Sequence, residues 1–248
     1  MKIRKGDLKL FLILALFEPF FYFLGESFGL TYVSATVCSV MISIIPVFVT
    51  IGAWLFFKEK LRMINYAGII ISFIGILVFL LSKDGSVSYN LKGLAFLLFA
   101  VLTAAGYNLI LCRLVGRYSP AYIVNVQNLI GAILFLPLFM ITDFNTFIHH
   151  SYTPGMFLPV LALAAFASSG AFILFAYSVS KIGLLKANAF TNFIPLFTAL
   201  FSLILMGDRL TFQNIVGMFV VIAGILMAQA DGKINTIDEA LALTGKTA

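Results

Sequence analysis

Polar positions are sparse along this chain and fall at nearly regular intervals. Between them run apolar stretches of about the same length, roughly 8–30, 35–57, 63–82, 92–113, 120–142, 156–180, 186–206 and 211–230. A helix rising 1.5 Å per residue needs about 20 such residues to cross a hydrocarbon layer about 30 Å thick. The pattern therefore predicts eight transmembrane helices and an all-α polytopic membrane protein. The connections are short. Residues 231–248 are polar enough to form a solvated tail.

Composition sharpens this. Hydrophobic residues make up 62% of the 248 and charged residues only 10%, against about 25% charged in a soluble domain. Such a chain cannot cover a water-facing surface, so its bilayer is its first partner. The net charge of +6 is then a matter of topology and not a sign of nucleic-acid binding. With the N-terminus in the cytoplasm, 13 of the 16 Lys and Arg fall on the inner side, and only Lys83, Lys92 and Arg209 on the outer. Basic residues favour cytoplasmic loops. The bias is self-consistent only for an even number of spans, which places both termini in the cytoplasm and the protein in the cytoplasmic (inner) membrane. Cys38 and Cys112 fall near opposite ends of their spans, on the order of 30 Å apart, whereas a disulfide needs Cα atoms within about 6 Å. They read as packing residues. With no CxxC and no His/Cys cluster, neither a metal nor a cofactor is expected.

The chain also matches itself. At an offset of 149 residues, "ISIIPVFVTIGAWLFFKEKLRMINYAGIIISFIGIL" (42–77) lies on "TNFIPLFTALFSLILMGDRLTFQNIVGMFVVIAGIL" (191–226) without a gap. Pro46 meets Pro195, Asn65 meets Asn214, Gly68 meets Gly217, Gly75 meets Gly224, and Glu59-Lys60 meets Asp208-Arg209. Matches of Leu and Ile carry little weight in membrane spans; these polar, glycine and proline matches carry the argument. Five crossings separate a span from its copy, so the copy points the opposite way. An inverted-topology repeat of this kind places a central site between two halves. The expected organisation is a three-span first repeat (1–82), an outer loop (83–91), a five-span second repeat (92–230) and a cytoplasmic tail (231–248). Residues 8–30 match the internal span 156–180, which argues against a cleaved leader.

The paired motifs "IIP…KEKL" and "FIP…GDRL", each followed by a glycine-spaced apolar span, resemble the EamA family of the drug/metabolite transporter superfamily. The resemblance covers nearly the whole chain apart from the tail. It implies a fold of two inverted five-helix halves and the transport or export of small metabolites or drugs. The family's acidic turn is kept in part, as Phe57-Lys58-Glu59 and Gly207-Asp208-Arg209. The first two of the family's ten spans have no counterpart, so the expectation is either a fragment or an eight-span variant.

Within the first span, "LALFEPFFYFLGESFGL" holds two acids. Glu18 lies ten residues in, about 15 Å deep, near the midplane. A carboxylate there costs several kcal/mol unless it faces protein or water. Pro19 removes a backbone N–H and disturbs the helix, a break tolerated where it lines protein or a wet cavity. Tyr22 and Glu26 follow at i+4 and i+8 on the same face, Glu26 nearer the outer end. In the aligned copy Ala167 and Phe175 replace the two acids, so the fold of the unit does not demand them. Two readings stand for Glu18: a group that binds a proton or a cationic substrate, or a neutral acid hydrogen-bonded to a neighbouring helix. For Glu26, simple hydration competes with function.

A second feature is shared by both copies. Ser39, Ser43 and Pro46 occupy the places of Asn188, Asn192 and Pro195. Each copy carries a polar stripe leading to a mid-span proline, and the prolines leave the carbonyls of Ile42 and Thr191 without their usual partners. These groups line a cavity or merely join helices. Among the uncharged polar residues of the fourth and fifth spans (Tyr107, Asn108, Asn125, Gln127 and Asn128), Tyr107 and Asn125 are the candidates for cavity lining. Glu59 and Asp208 read as turn or helix-start residues, and His149 and His150 as a solvated pair. Gly68/Gly75 and Gly217/Gly224 suit close helix packing or a homodimer surface.

The chain thus reads as a secondary transporter for a small molecule, working by alternating access, with Glu18 as a coupling or cation-recognition group. The rival is a non-transporting membrane protein, an assembly partner or an inactive fragment. An intramembrane enzyme finds no support, since no nucleophile stands with a base and no carboxylate pair faces itself.

Overall fold

A computed structural model describes residues 3–4, 6–57, 61–80, 89–150, 153–206 and 211–230, and all regular structure among them is helical. Seven helices are long and apolar enough to cross a membrane: α1 (Leu8–Leu30), α2 (Ala35–Phe56), α3 (Met63–Leu80), α4 (Leu91–Leu114), α5 (Pro120–Thr142), α7 (Gly155–Ile182) and α8 (Leu184–Leu205). Between α5 and α7 lies a short surface helix, α6 (Phe144–His149), within a stretch expected to be an outer loop. The last helix, α9 (Phe212–Ala228), has 17 residues and spans about 25 Å. Outward-facing Leu55, Phe56, Ile70, Leu158 and Phe166 are all more than half exposed, as lipid-facing side chains are. The chain is an integral, polytopic α-helical membrane protein.

Local chemistry sets the helix ends. Ser34 accepts a hydrogen bond from the Val37 amide at the start of α2, and Asn90 accepts one from Lys92 at the start of α4. Thr211 and Asn214 form a reciprocal capping box on α9. Pro120 opens α5 at a position where its missing N–H costs nothing. Gly183 joins α7 to α8 at φ 85°, a left-handed value that a residue with a Cβ rarely adopts.

Three membrane helices are interrupted near mid-length. In α1 the regular helix gives way over Leu16–Phe21 to a wider π-type stretch, with Glu18 in extended geometry (φ −148°, ψ 119°) before a cis Glu18–Pro19 bond. In α2 the segments Ala35–Ile42 and Ile45–Phe57 meet at a turn through Ser43 and Ile44. In α8 a tighter turn, Phe190–Phe193, separates Leu184–Ala189 from Ile194–Phe201. Pro46 and Pro195 follow the second and third breaks. A proline ring forbids the regular bond to the carbonyl four residues back.

Packing follows small residues. The C-terminal half of α1 lies on α4, where Gly25 and Gly29 leave no room for a Cβ against Phe96, Leu97 and Ala100. Pro19 fills the space over Gly131 of α5. The most extensive pairing is α3 with α9. Gly68 meets the backbone of Gly224 and Ala228, Gly75 that of Val220 and Val221, Gly217 that of Phe79 and Gly224 that of Ser72. The glycine faces expected to serve packing or a dimer are thus spent on each other inside one chain. Asn65 donates to the carbonyls of Ala228 (3.0 Å) and Ala230 (2.7 Å), and Asn214 donates to the carbonyl of Phe79 (2.9 Å).

Candidate functional site

The breaks in α1, α2 and α8 converge. Between them, with α4 and α7, lies a cavity of about 190 Å³. Glu18 and Tyr22 reach it from α1, Ile42 and Ile45 from α2, and Ala104, Tyr107 and Asn108 from α4. Ala171, Phe172 and Phe175 reach it from α7, and Asn188, Thr191 and Ile194 from α8. Most of the lining residues, Glu18 and Tyr107 among them, sit near the middle of their helices, so the cavity lies near the middle of the bundle. It borders two apolar clusters, one holding Tyr22, Ile42 and Ala104 and the other Tyr107.

Its polar groups are few. Glu18 is only 6% exposed. No described residue hydrogen-bonds its carboxyl, which looks into the cavity and not toward lipid. The Tyr22 hydroxyl donates to Glu26 at 3.0 Å, tying the second acid to the cavity wall. Across from them, the Asn188 amide donates to Asn108 Oδ1 (3.1 Å) and to the Leu184 carbonyl (3.0 Å). Asn108 in turn donates to the Ala104 carbonyl (2.8 Å), and the Thr191 hydroxyl to the Asn188 carbonyl (2.7 Å). The Tyr107 hydroxyl stands near Glu18 and Gln127. Among the described residues neither that hydroxyl nor Gln127 Oε1 has a hydrogen-bond partner, though both are buried. The Tyr107 ring meets Phe172 edge to face, with centroids 6.1 Å apart.

The sequence pattern of the EamA-like transporter family matches residues 1–81 and 91–229. The chain belongs to that family. Among its relatives, the "uncharacterized transporter YcxC" of Bacillus subtilis (strain 168) is 23% identical over 232 residues, spanning 91% of this chain and 74% of that protein. An "uncharacterized transporter" of Archaeoglobus fulgidus is 27% identical over 225 residues, covering 90% and 78%, and one of Haemophilus influenzae is 27% identical over 246 residues, covering 93% and 79%. A crystal structure of a protein 14% identical superposes with a TM-score of 0.66 over 93% of this chain and 80% of that one. That likeness speaks to the fold alone.

Of the residues singled out in this EamA-like transporter, Glu18, Tyr22, Tyr107 and Asn188 line the cavity, and Glu26 joins through Tyr22. Ser43 does not line it; fully buried, it donates to the Val40 carbonyl at 2.7 Å within its own helix. Pro46 and Pro195 are buried beside the breaks that bring Ile42 and Thr191 to the wall. Asn192 is buried with neither amide atom hydrogen-bonded, next to the cavity-lining Thr191 but not itself on the wall. Asn125 is exposed on α5, away from the cavity, while Gln127, two residues on, is 1% exposed. Glu59 and Asp208 lie outside the described residues. His149 is exposed, its ring bonded to the Asn145 carbonyl at 2.8 Å.

Sequence reasoning weighed Asn108 but did not choose it. Its signal was its place beside Tyr107, with Asn188 as a second amide in a facing span. Ile45, Phe172, Phe175 and Ile194 gave no signal, because an apolar cavity wall and an apolar core look alike in sequence.

Proposed function

We propose that this chain is a secondary transporter that moves small metabolites or drugs across the cytoplasmic membrane. It does so by alternating access around the Glu18 cavity, with Glu18 as the proton- or cation-binding group. The observation that carries this is the cavity itself: near mid-bundle, walled in part by interrupted helices, and holding one carboxyl, only 6% exposed, that no described residue hydrogen-bonds. A carboxyl at membrane depth is costly unless it faces protein or a wet cavity. Interrupted helices around a midplane site are how transporters bind their cargo.

Eight spans in two inverted halves complete the proposal, with residues 1–82 and 92–230 as the repeats. Two observations support it. At the 149-residue offset the cavity wall pairs with itself: Tyr22 with Ala171, Ile42 with Thr191 and Ile45 with Ile194. The α3–α9 contact is reciprocal at the same offset. Asn65 bonds to Ala228 as Asn214 bonds to Phe79, and Gly75 meets Val221 as Gly224 meets Ser72. Such reciprocity is what a two-fold axis across antiparallel helices produces. The orientation with both termini inside draws support from Arg4, Asp7, Arg117 and Tyr118. Arg117 pairs with Asp7 at 2.7 Å and Tyr118 bonds both Asp7 (2.9 Å) and the Arg4 amide (3.1 Å), which puts two basic segments on one side of the membrane.

The test is flux in proteoliposomes with and without an imposed pH gradient. Glu18→Gln is expected to fold normally and to lose the dependence of flux on the gradient. Flux with unaltered gradient dependence in that variant removes the coupling role. No protein-dependent flux of any amine, amino acid or neutral metabolite tried would favour a non-transporting membrane protein.

A further inference from the structure

We propose that the Glu18 cavity selects small primary or secondary amines with an apolar or aromatic body, and rejects cargo that carries a carboxylate or phosphate. The inference rests on this cavity being the substrate site of the transport reading.

The argument is an accounting of donors and acceptors. No described Lys, Arg or His lines the cavity. Its neutral donors are mostly engaged elsewhere: the Tyr22 hydroxyl on Glu26, the Thr191 hydroxyl on a carbonyl, and both N–H groups of Asn188 on Asn108 and Leu184. One N–H of Asn108 is held by Ala104. An anion entering here would shed its water and find almost nothing to replace it, a loss of several kcal/mol. The acceptors are in the opposite condition. The Glu18 carboxyl receives no hydrogen bond from any described residue. The Tyr107 hydroxyl, itself unpartnered and 1% exposed, stands near it. Gln127 Oε1 is buried and unpartnered as well, and the phenolic oxygen has lone pairs to offer a ligand.

An ammonium group fits that end. It brings one positive charge to the carboxylate and further N–H donors to the phenolic oxygen, and charge-assisted bonds of this kind are the strong ones. A quaternary ammonium would leave those acceptors unfilled. Phe172 and Phe175 supply an aromatic wall for the body of the ligand and an attractive face for its charge. Size sets a limit as well. A volume of about 190 Å³ is below the 300–1,000 Å³ of sites for drug-sized ligands, so a short arylalkylamine suits it better than a bulky polycyclic cation.

Three probes with a common phenyl body separate the possibilities: phenethylamine, phenylalanine and 3-phenylpropionate. Binding is measured by calorimetry on the full chain in lipid nanodiscs at neutral pH. Phenethylamine is expected to bind at least about tenfold more tightly than phenylalanine, and phenylpropionate not measurably. Glu18→Gln and Tyr107→Phe should each weaken phenethylamine, the first by about tenfold or more. Glu18→Asp keeps the charge and should keep the order of the three probes. It separates loss of the acid from loss of the fold, as does the thermal unfolding midpoint of each variant. Phenylalanine or phenylpropionate binding as well as the amine overturns the assignment. So does a folded protein that ignores phenethylamine, or a Gln variant that binds it unchanged. Vesicle flux is scored separately. Amine binding without flux leaves the assignment standing and removes the transport reading. Flux of a carboxylate-bearing probe without amine binding does the reverse.

Discussion

Replacing Gly224 by Ala puts a methyl group where α3 and α9 already touch. The added carbon would overlap the Ser72 amide nitrogen and lie 2.7 Å from Ser72 Cα and 2.9 Å from the Gly68 carbonyl oxygen. Ordinary carbon contacts are about 3.5–4.0 Å, and these neighbours are backbone atoms that cannot rotate aside. The two helices must part by about 1 Å. Overpacking of this kind costs about 1–3 kcal/mol, which for a chain of this size lowers the unfolding midpoint by roughly 2–12 °C. Alanine also brings a helix-propensity gain of up to about 1 kcal/mol over glycine. Gly155→Ala calibrates that gain, because a methyl there meets nothing within 4 Å. Gly75→Ala should behave like Gly224→Ala, since its methyl would lie 2.5 Å from the Val221 nitrogen and 2.9 Å from the Val220 carbonyl carbon. The double variant should cost less than the sum, because one parting of the helices relieves both contacts. The assay is thermal unfolding of the four variants in one detergent. An unshifted midpoint for Gly224→Ala, or strictly additive losses in the double variant, would refute the reasoning.

Other expectations follow from single contacts. Asn65→Ala should lower stability by about 1–2 kcal/mol, since it strips the Ala228 and Ala230 carbonyls of their partner, and Asn214→Ala should do the same at Phe79; detergent unfolding midpoints check both. Gly131→Ala should push Pro19 off its seat on α5 and displace Glu18. Phenethylamine affinity should fall there more than stability does, by calorimetry against thermal unfolding. Asp7→Ala removes the bonds from Arg117 and Tyr118 to a carboxylate that is 4% exposed. It should cost about 1–3 kcal/mol, seen as a lower unfolding midpoint and faster cleavage near the N-terminus by an added protease.

Much of the fold was legible because the bilayer imposes one length on every span. The predicted runs 92–113 and 120–142 correspond to Leu91–Leu114 and Pro120–Thr142. Glu18 was legible for the same reason: its depth follows from counting residues, and depth makes a carboxyl expensive. Pro46 and Pro195 foretold the breaks that bring Ile42 and Thr191 to the cavity. What sequence could not supply was rotation about each helix axis. In a soluble helix the polar face points to water. Here lipid and core are equally apolar, so nothing in the α5 sequence says that Gln127 turns inward while Asn125 turns out. The short helix Phe144–His149 was also hidden, since six residues carry no membrane-length signal.

The interruption of α1 divides its neighbours as well as its backbone. The half from Tyr22 to Leu30 rests chiefly on α4, and the half from Leu8 to Ala15 on α5 as well as α4. Glu18 belongs to neither rod; it is the joint between them, in extended geometry. The backbone bonds through this joint are of the wider π type and not the regular ladder of the two rods. In the transport cycle proposed above, a carboxyl at such a joint would change its surroundings whenever one side of the protein opened, so a single residue would register which face of the membrane is exposed.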